Sequence, residues 1–252
     1  MKKWIYLHLK LLSLSLIILK GASGQTLRSD TTLQNALNNA SVVYTKAIGA
    51  QLPLNNGPEY YFYNPVKFKG SAYFMDTTYT PGSVYYDGAE YKEVQLLYDL
   101  NKGQLAAILY DQNLKYVLLN DRVQNFDLLQ HHFININADT LTKNTVMTTG
   151  YYDELYHGRT EVVSKRYKTI QRYASTTGAQ EAYSYFTDTK EDFFIRKDNI
   201  YYNVAGKREL LDILKDKKKQ LQQYVKGNNI KFNKDRGQAL ASVAAYYDHI
   251  TN

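Results

Sequence analysis

The groups in this chain best suited to proton transfer or metal ligation are His131, His132, His157 and His249, with two adjacent carboxylate pairs, Asp153-Glu154 and Glu191-Asp192. Neighbouring side chains on a strand leave opposite faces, so His131 and His132 do not serve one metal ion. The same alternation parts Asp153 from Glu154 and Glu191 from Asp192. A glycoside hydrolase needs two carboxyls facing one another across ~5 to 10 Å, which here requires carboxylates from separate strands. Otherwise such pairs read as solvated turn charges. The chain has no cysteine, which removes thiol nucleophiles and soft metal sites, and it has no G-x-S-x-G, H-E-x-x-H or G-x-x-x-x-G-K pattern. The sequence therefore assigns no catalytic residue, no metal ligand, no cofactor and no ligand-binding residue.

Hydrophobic period gives the elements that must position these groups. Leu33, Leu37, Ala40, Tyr44, Ala47 and Ile48 recur at helical spacing, with Gly49 and Pro53 to end the helix. After the turn cluster Asn55-Asn56-Gly57-Pro58 the pattern becomes strand-like. Val84-Tyr85-Tyr86 and Tyr91 to Tyr98 flank Asp87-Gly88, a pair suited to a primed turn in which both residues take positive φ. Asn101-Lys102-Gly103, Asp111-Gln112-Asn113 and Asn120-Asp121 then punctuate strands at Leu105 to Tyr110, Leu114 to Leu119 and Arg122 to Leu128. Joined in order, they predict an antiparallel meander without a parallel crossover. Phe133 to Ile136 and Val146 to Tyr152 continue it, with a hairpin from Asp153 to Val163 around His157-Gly158. Lys165 to Tyr173, Ala182 to Phe186, Phe193 to Arg196 and Tyr201 to Val204 complete it, and Asp198-Asn199 turns between the last two. Leu210, Leu211, Leu214, Leu221 and Val225 then mark one helix from Lys207 to Lys226, stopped at Gly227-Asn228-Asn229. Asp235 with Gln238 opens a second helix buried through Leu240, Val243, Tyr247 and Ile250.

The first 24 residues read as an export signal: Lys2 and Lys3, an apolar stretch of nine residues from Leu11 to Leu19, and Ala22-Ser23-Gly24 before a cleavage point at Gly24-Gln25. Nine apolar residues fall well short of the ~20 a spanning helix needs. Processing removes four lysines and no acid, so the formal charge falls from +7 to +3, which argues against a nucleic-acid partner, as does the lack of a reader motif. Residues Gln25 to His157 carry 9 basic and 13 acidic groups, and those from Gly158 onward 18 and 11. The stretch Lys207 to Arg236 alone holds 10 basic and 4 acidic residues. It reads first as a solvated helix face and second as a surface for anionic lipid. Tyrosine, at 25 residues, outnumbers the 9 Phe and 1 Trp; it suits half-buried sheet faces and also stacking platforms for sugars or peptides.

The strings Asn56-Gly57-Pro58-Glu59-Tyr60, Gly70-Ser71-Ala72-Tyr73-Phe74, Val84-Tyr85-Tyr86-Asp87-Gly88 and Leu97-Tyr98-Asp99 resemble a group of exported proteins of Bacteroidetes-type bacteria. The segments around Gly150-Tyr151-Tyr152, Leu155-Tyr156-His157-Gly158, Asp216-Lys217-Lys218-Lys219 and Tyr246-Tyr247 extend the resemblance. It implies export and an envelope setting and carries no activity or site residue. His157 stands where that pattern usually has Asp before Gly, and either residue tolerates the turn.

The expectation is an exported α+β protein: a signal peptide over 1–24 and one domain over 25–252. The domain has a helix and lead-in over 25–57, an antiparallel β-meander over 58–205 forming an open twisted sheet or partly closed barrel, and a helical cover over 206–252. Its function is expected to be that of a non-catalytic envelope, periplasmic or secreted module that binds a ligand or partner on a Tyr-rich sheet face. The partner is an envelope protein, a glycan or an anionic lipid surface. Two alternatives stand beside it: a hydrolase of glycan or peptide with acids from separate strands, and a structural component of an envelope assembly.

Overall fold

The computed structural model describes residues 53–75, 78–108, 114–141, 146–173 and 183–251, with isolated helical positions between 33 and 43. The export signal, its Gly24-Gln25 cleavage point and the Asp111-Gln112-Asn113 turn lie outside the described residues. The chain divides into a leading unit, Met1–Ser41, and a second unit, Val42–Asn252. In the leading unit Leu33, Asn35, Ala36, Leu37, Asn39 and Ala40 are helical, as their spacing predicts.

The second unit holds thirteen described strands: β1 Phe68–Lys69, β2 Thr80–Tyr86, β3 Ala89–Asp99, β4 Gln104–Ile108, β5 Lys115–Val117, β6 Val123–Leu128, β7 His131–Ile136, β8 Gly150–His157, β9 Glu161–Tyr167, β10 Ile170–Tyr173, β11 Tyr183–Phe186, β12 Lys190–Lys197 and β13 Ile200–Asn203. Three helices follow: α1 Lys207–Ile213, α2 Lys218–Gly227 and α3 Arg236–Thr251. The fold is α+β, and none of the described helices is long and apolar enough to cross a membrane.

Ten strands form one antiparallel sheet in the order β13-β12-β9-β8-β7-β6-β2-β3-β4-β5. The meander is therefore interrupted twice, between β5 and β6 and between β9 and β12. After β5 the chain does not add to the sheet edge but returns to the far side of β2, where Val84 pairs with Phe126 and Tyr85 with Asn125. Apolar inward positions of β2 and β6 gain a shared core this way, which sequence adjacency cannot reveal. The expected strand Lys165 to Tyr173 is also divided. β9 ends at Tyr167, and β10 leaves to join β11 and β1 in a small separate sheet, in which Phe68-Lys69 runs parallel to Ser184-Tyr185. That pairing is parallel, contrary to the all-antiparallel expectation. Likewise Val146 to Tyr152 is not one strand, since β8 begins only at Gly150 and continues through Asp153 to the His157-Gly158 turn.

Turns whose residues tolerate positive φ fall where expected: Asp87 and Gly88 sit at φ 53° and 83°, and Asp198 and Asn199 at 51° and 60°. Leu129 and Gln130, at 52° and 66°, make the same two-residue turn between β6 and β7 without any residue that favours it.

The sheet curls strongly. β8 stands four places from β3 in the order, which in a flat sheet would separate them by ~19 Å at about 4.8 Å per step. Instead the rings of Tyr98 and Tyr151 meet at 5.7 Å. Farther along, Asn101 Nδ2 donates to Lys168 O at 3.0 Å, and Lys168 Nζ to Ser71 O at 2.8 Å. These hydrogen bonds tie the β3–β4 turn and Ser71 to the chain that follows β9, but the ten-stranded sheet is not closed, and β13 and β5 stand at its edges. Its interior is an aromatic core in which Phe126 stacks on Phe133 at 4.7 Å, joined by Tyr86, Tyr98, Leu96 and Leu105.

The same inner face continues onto β9 and β12, where Val162, Phe193 and Ile195 pack beneath Leu210, Leu221, Val243 and Tyr247 of the helices. The single helix expected from Lys207 to Lys226 is broken: Leu214 leaves helical geometry and Lys215–Lys217 form a 3-10 turn. Tertiary bonds select the break, because Asp216 there accepts from Lys197 Nζ at 2.8 Å and Tyr247 Oη at 3.0 Å. α3 starts as read, with Asp235 Oδ1 accepting the Gln238 N–H at 2.8 Å. A buried carboxylate then fastens it to the β8–β9 turn: Asp248 accepts from Thr160 N, Thr160 Oγ1 and Tyr156 Oη at 2.9, 3.0 and 3.1 Å.

Candidate ligand-binding cleft

The inner face of the sheet carries polar groups in a cross-strand row over β7, β8, β9 and β12. Asn135 of β7 opposes Tyr151 of β8, and Arg166 of β9 opposes Glu191 of β12. Above this row opens a cleft of about 740 Å³, within the range of small-molecule sites. Its floor is Tyr98, Val123 and Tyr151. Its walls come from the β3–β4 turn with Asn101 and Lys102, the Asn120-Asp121 turn, Asn137 after β7, Thr149 before β8, and the end of β9 with Lys165, Arg166 and Tyr167.

Two of the walls are braced from behind. The β3–β4 turn is wound around Asp99, fully buried, whose carboxylate accepts Tyr60 Oη at 2.8 Å, Tyr63 Oη at 3.1 Å and the backbone N–H groups of Asn101 and Lys102 at 2.9 Å. The Asn120 wall is tied to the floor by Tyr151 Oη at 2.9 Å and to the opposite turn through its Nδ2 on Gly103 O at 3.2 Å. Asn135 donates through Nδ2 to Asn120 O and Val123 O, and its buried Oδ1 is left without a partner.

Two neighbouring cations of β9 differ in what holds them. Arg166 is bonded to Asp153 and to Glu191; burial opposes its charge, but the two carboxylates outweigh that and hold its pKa above the ordinary value. Its guanidinium also lies 5.5 Å over the Phe74 ring. Lys165, the preceding residue of β9, leaves the opposite face of the sheet, where its Nζ lies 5.0 Å over the Tyr152 ring. Its Nζ donates to Thr148 and Thr149 oxygens, and burial pushes its pKa below the usual lysine value, against the opposing pull of Asp192. Burial likewise raises the hydroxyls of Tyr98 and Tyr151 above the ordinary tyrosine value.

The chemistry-bearing residues of the sequence are only partly brought together. His131 and His132 point to opposite faces, as expected of strand neighbours: His131 Nδ1 lies 2.8 Å from Asp153 Oδ2, and His132 Nδ1 2.6 Å from Asp127 Oδ1. Asp153 and Glu154 diverge as expected, with Glu154 Oε1 instead 2.7 Å from His157 Nδ1. Asp153 and Glu191, from separate strands, do converge, but on the one guanidinium of Arg166. A carboxylate neutralised by an arginine is not a general acid, so this pair lacks the free, opposed carboxyls that glycoside hydrolysis uses. Glu154, His157 and Glu161 bring ligand-type atoms within 4.8 Å of one another. Glu161, however, already accepts from Arg196 at 2.8 Å and Tyr201 at 2.9 Å, so a cation there would have to displace an arginine. His249 is exposed on α3.

The tyrosines do not form one open platform. Tyr60, Tyr86, Tyr98, Tyr151 and Tyr152 are buried, while Tyr61, Tyr85, Tyr173 and Tyr202, each more than a third exposed, are spread over a loop, β2, β10 and β13, with Tyr173 stacked on Tyr183 at 5.0 Å in the small sheet. The cleft residues Arg166, Asn135 and Tyr98 escape a motif search because they come from separate strands. The trace they leave is polar residues at inward positions, Asn135 and Arg166, in strands otherwise apolar on that side. A second groove, of about 780 Å³, runs between the β12–β13 hairpin and α1 past Tyr202, with Val146 also at its wall. Comparison of the chain with protein-family models, with curated proteins and with solved structures returned no match.

Proposed function

We propose that the protein is a non-catalytic exported module of the envelope or its surroundings, and that it binds its ligand in the cleft at the open end of the curled sheet. One observation carries the reading: five separate segments line the cleft around a tyrosine floor, and buried or half-buried hydrogen bonds hold its β3–β4 turn and its Asn120 turn. Such bracing pre-organises a site, so little ordering cost opposes binding. The leading lysines and apolar stretch support export. The commitment of Asp153 and Glu191 to Arg166 favours binding over hydrolysis. A structural role in an assembly would call for an apolar patch left by the helices, and among the described residues the exposed large hydrophobics all lie outside 206–251.

The test is native mass spectrometry of the protein taken from its producing cells, beside an Asn137→Trp variant whose indole fills the cleft. The wild-type protein is expected to carry a bound small molecule that the variant lacks. A variant that retains the same bound mass contradicts the cleft as the site.

A further inference from the structure

We infer that the open edge of β13 binds an extended peptide, which adds to the ten-stranded sheet as one more strand. The two ends of the sheet differ. At β5 the outer edge is taken: Val117 N donates to Pro58 O at 2.9 Å and Tyr60 N to Lys115 O at 2.6 Å. At the other end no described strand pairs with the far side of β13. The phase of its ladder shows which groups are left over. Val204 N donates to Phe193 O at 2.8 Å, so the pairs Ile195 with Tyr202 and Lys197 with Ile200, in the same phase, are the ones bonded across to β12. The N–H and C=O groups of Tyr201 and Asn203 therefore point away from the sheet, and among the described residues none of them has a partner.

The edge lacks the charges, prolines and bulges that usually guard one. Ile200-Tyr201-Tyr202-Asn203 is uncharged and proline-free, and its register with β12 runs without a shift. The groove of about 780 Å³ runs along all four residues. α1 walls it through Asp212 and Ile213, on the side of the sheet that the helices cover. Val146 is the other wall. The next residue, Met147, packs with Val163 and Phe194, which alternate with Val162 and Phe193 and so lie on the opposite face. A bare edge between two walls is a slot for one extended chain, whereas a second copy would bring its own α1 and Val146 into the same gap. Main-chain bonds to Tyr201 and Asn203 supply affinity, and the surfaces beside them select side chains. Ile200, Tyr202 and Ile213 offer apolar and aromatic contact. Lys197 is held by Asp216 and Asp212 by Lys218, which leaves Asp198 and Glu209 against Lys215 at the lining. The slot therefore favours a peptide with apolar side chains and a lysine or arginine.

Random heptapeptides displayed on phage, selected on the immobilised protein and resynthesised for fluorescence anisotropy, test this. Selected sequences are expected to alternate apolar side chains, to carry a basic residue and to lack interior proline. N-methylation of alternate amides in the tightest peptide should weaken it at least tenfold, and methylation of the intervening amides less than threefold, because an edge strand uses only every second N–H. Asn203→Pro removes one outward N–H and no ladder bond, a change that edge strands tolerate, and should weaken binding at least tenfold. Asn203→Ala should stay within threefold, with unchanged circular dichroism as the check on folding. Peptides that bind Asn203→Pro as well as the wild type, or that tolerate methylation at every amide, overturn strand addition, as does selection of no peptide above background. Peptide binding lost in Asn137→Trp moves the peptide to the cleft and overturns the edge as its site. Sedimentation as a dimer that Asn203→Pro dissociates gives the edge to a second copy and overturns the peptide as its occupant.

Discussion

Asp153 sits between two cationic-type partners: its Oδ2 lies 2.8 Å from His131 Nδ1 and is also bonded to Arg166, with the carboxylate almost wholly removed from solvent. Taking away Asp153 leaves Arg166 only Glu191 and removes the carboxylate from His131 Nδ1. Asp153→Ala is expected to lower unfolding stability by about 1–3 kcal/mol. Urea denaturation reads this directly, and a loss below about 1 kcal/mol, the scale of a surface ion pair, would show that Arg166 is solvated rather than buried.

The tyrosines give the protein a specific alkaline weakness. Burial raises the hydroxyl pKa of Tyr60, Tyr63, Tyr79, Tyr98, Tyr151 and Tyr201 above the ordinary 10.0. The sign follows from linkage: a raised folded pKa means the unfolded chain loses protons first. The stabilising contribution is therefore complete below pH 10 and declines as pH rises above it. Each such tyrosine removes up to about 1.4 kcal/mol per pH unit in that range. Absorbance at 295 nm should show these hydroxyls ionising together with unfolding; smooth titration near pH 10 in a still-folded protein would contradict their burial.

Asp248 is expected to act as the catch between α3 and the β8–β9 turn. Asp248→Ala leaves the buried Thr160 N–H without its acceptor, at a cost of about 1–3 kcal/mol. The denaturation midpoint should fall with the slope unchanged, and Asp248→Asn should recover part of the loss. An unchanged midpoint would mean the helix is held by its apolar face alone.

A stabilising substitution is available at the turn between β6 and β7. Gln130 occupies φ 66°, a region that costs a side-chain-bearing residue roughly 1–2 kcal/mol. Gln130→Gly should raise stability by about 1 kcal/mol, seen as an increase in Tm of several degrees. A lower Tm would show that the Gln130 side chain contributes more than the backbone strain it imposes.

That turn also shows where the sequence is legible and where it is silent. Asp87-Gly88 and Asp198-Asn199 announce their turns because their side chains tolerate positive φ. Leu129-Gln130 does not, because there the flanking strand pairs, Leu128 with His131 and Asp127 with His132, impose the geometry on residues that resist it. The strands themselves were readable from their alternation, but the destination of β6 was not, since its pairing with β2 is decided by shared burial some forty residues away. The helix break at Leu214 is of the same kind: Lys197 and Tyr247 draw Asp216 in, and neither is local to it. The cleft was the least legible feature. Arg166 is 13 residues from Asp153 and 25 from Glu191, and only the curl of the sheet turns scattered polar residues into one wall.

Hydrogen exchange of the protein with and without the ligand recovered from its producing cells tests the central claim most directly. If the cleft binds, added protection falls on 98–103, 120–124, 135–137, 149–151 and 165–167, the segments that wall it. Protection that instead follows the exposed Tyr85 or Tyr202, with these segments unchanged, would contradict the cleft and return the binding surface to the outer face of the sheet.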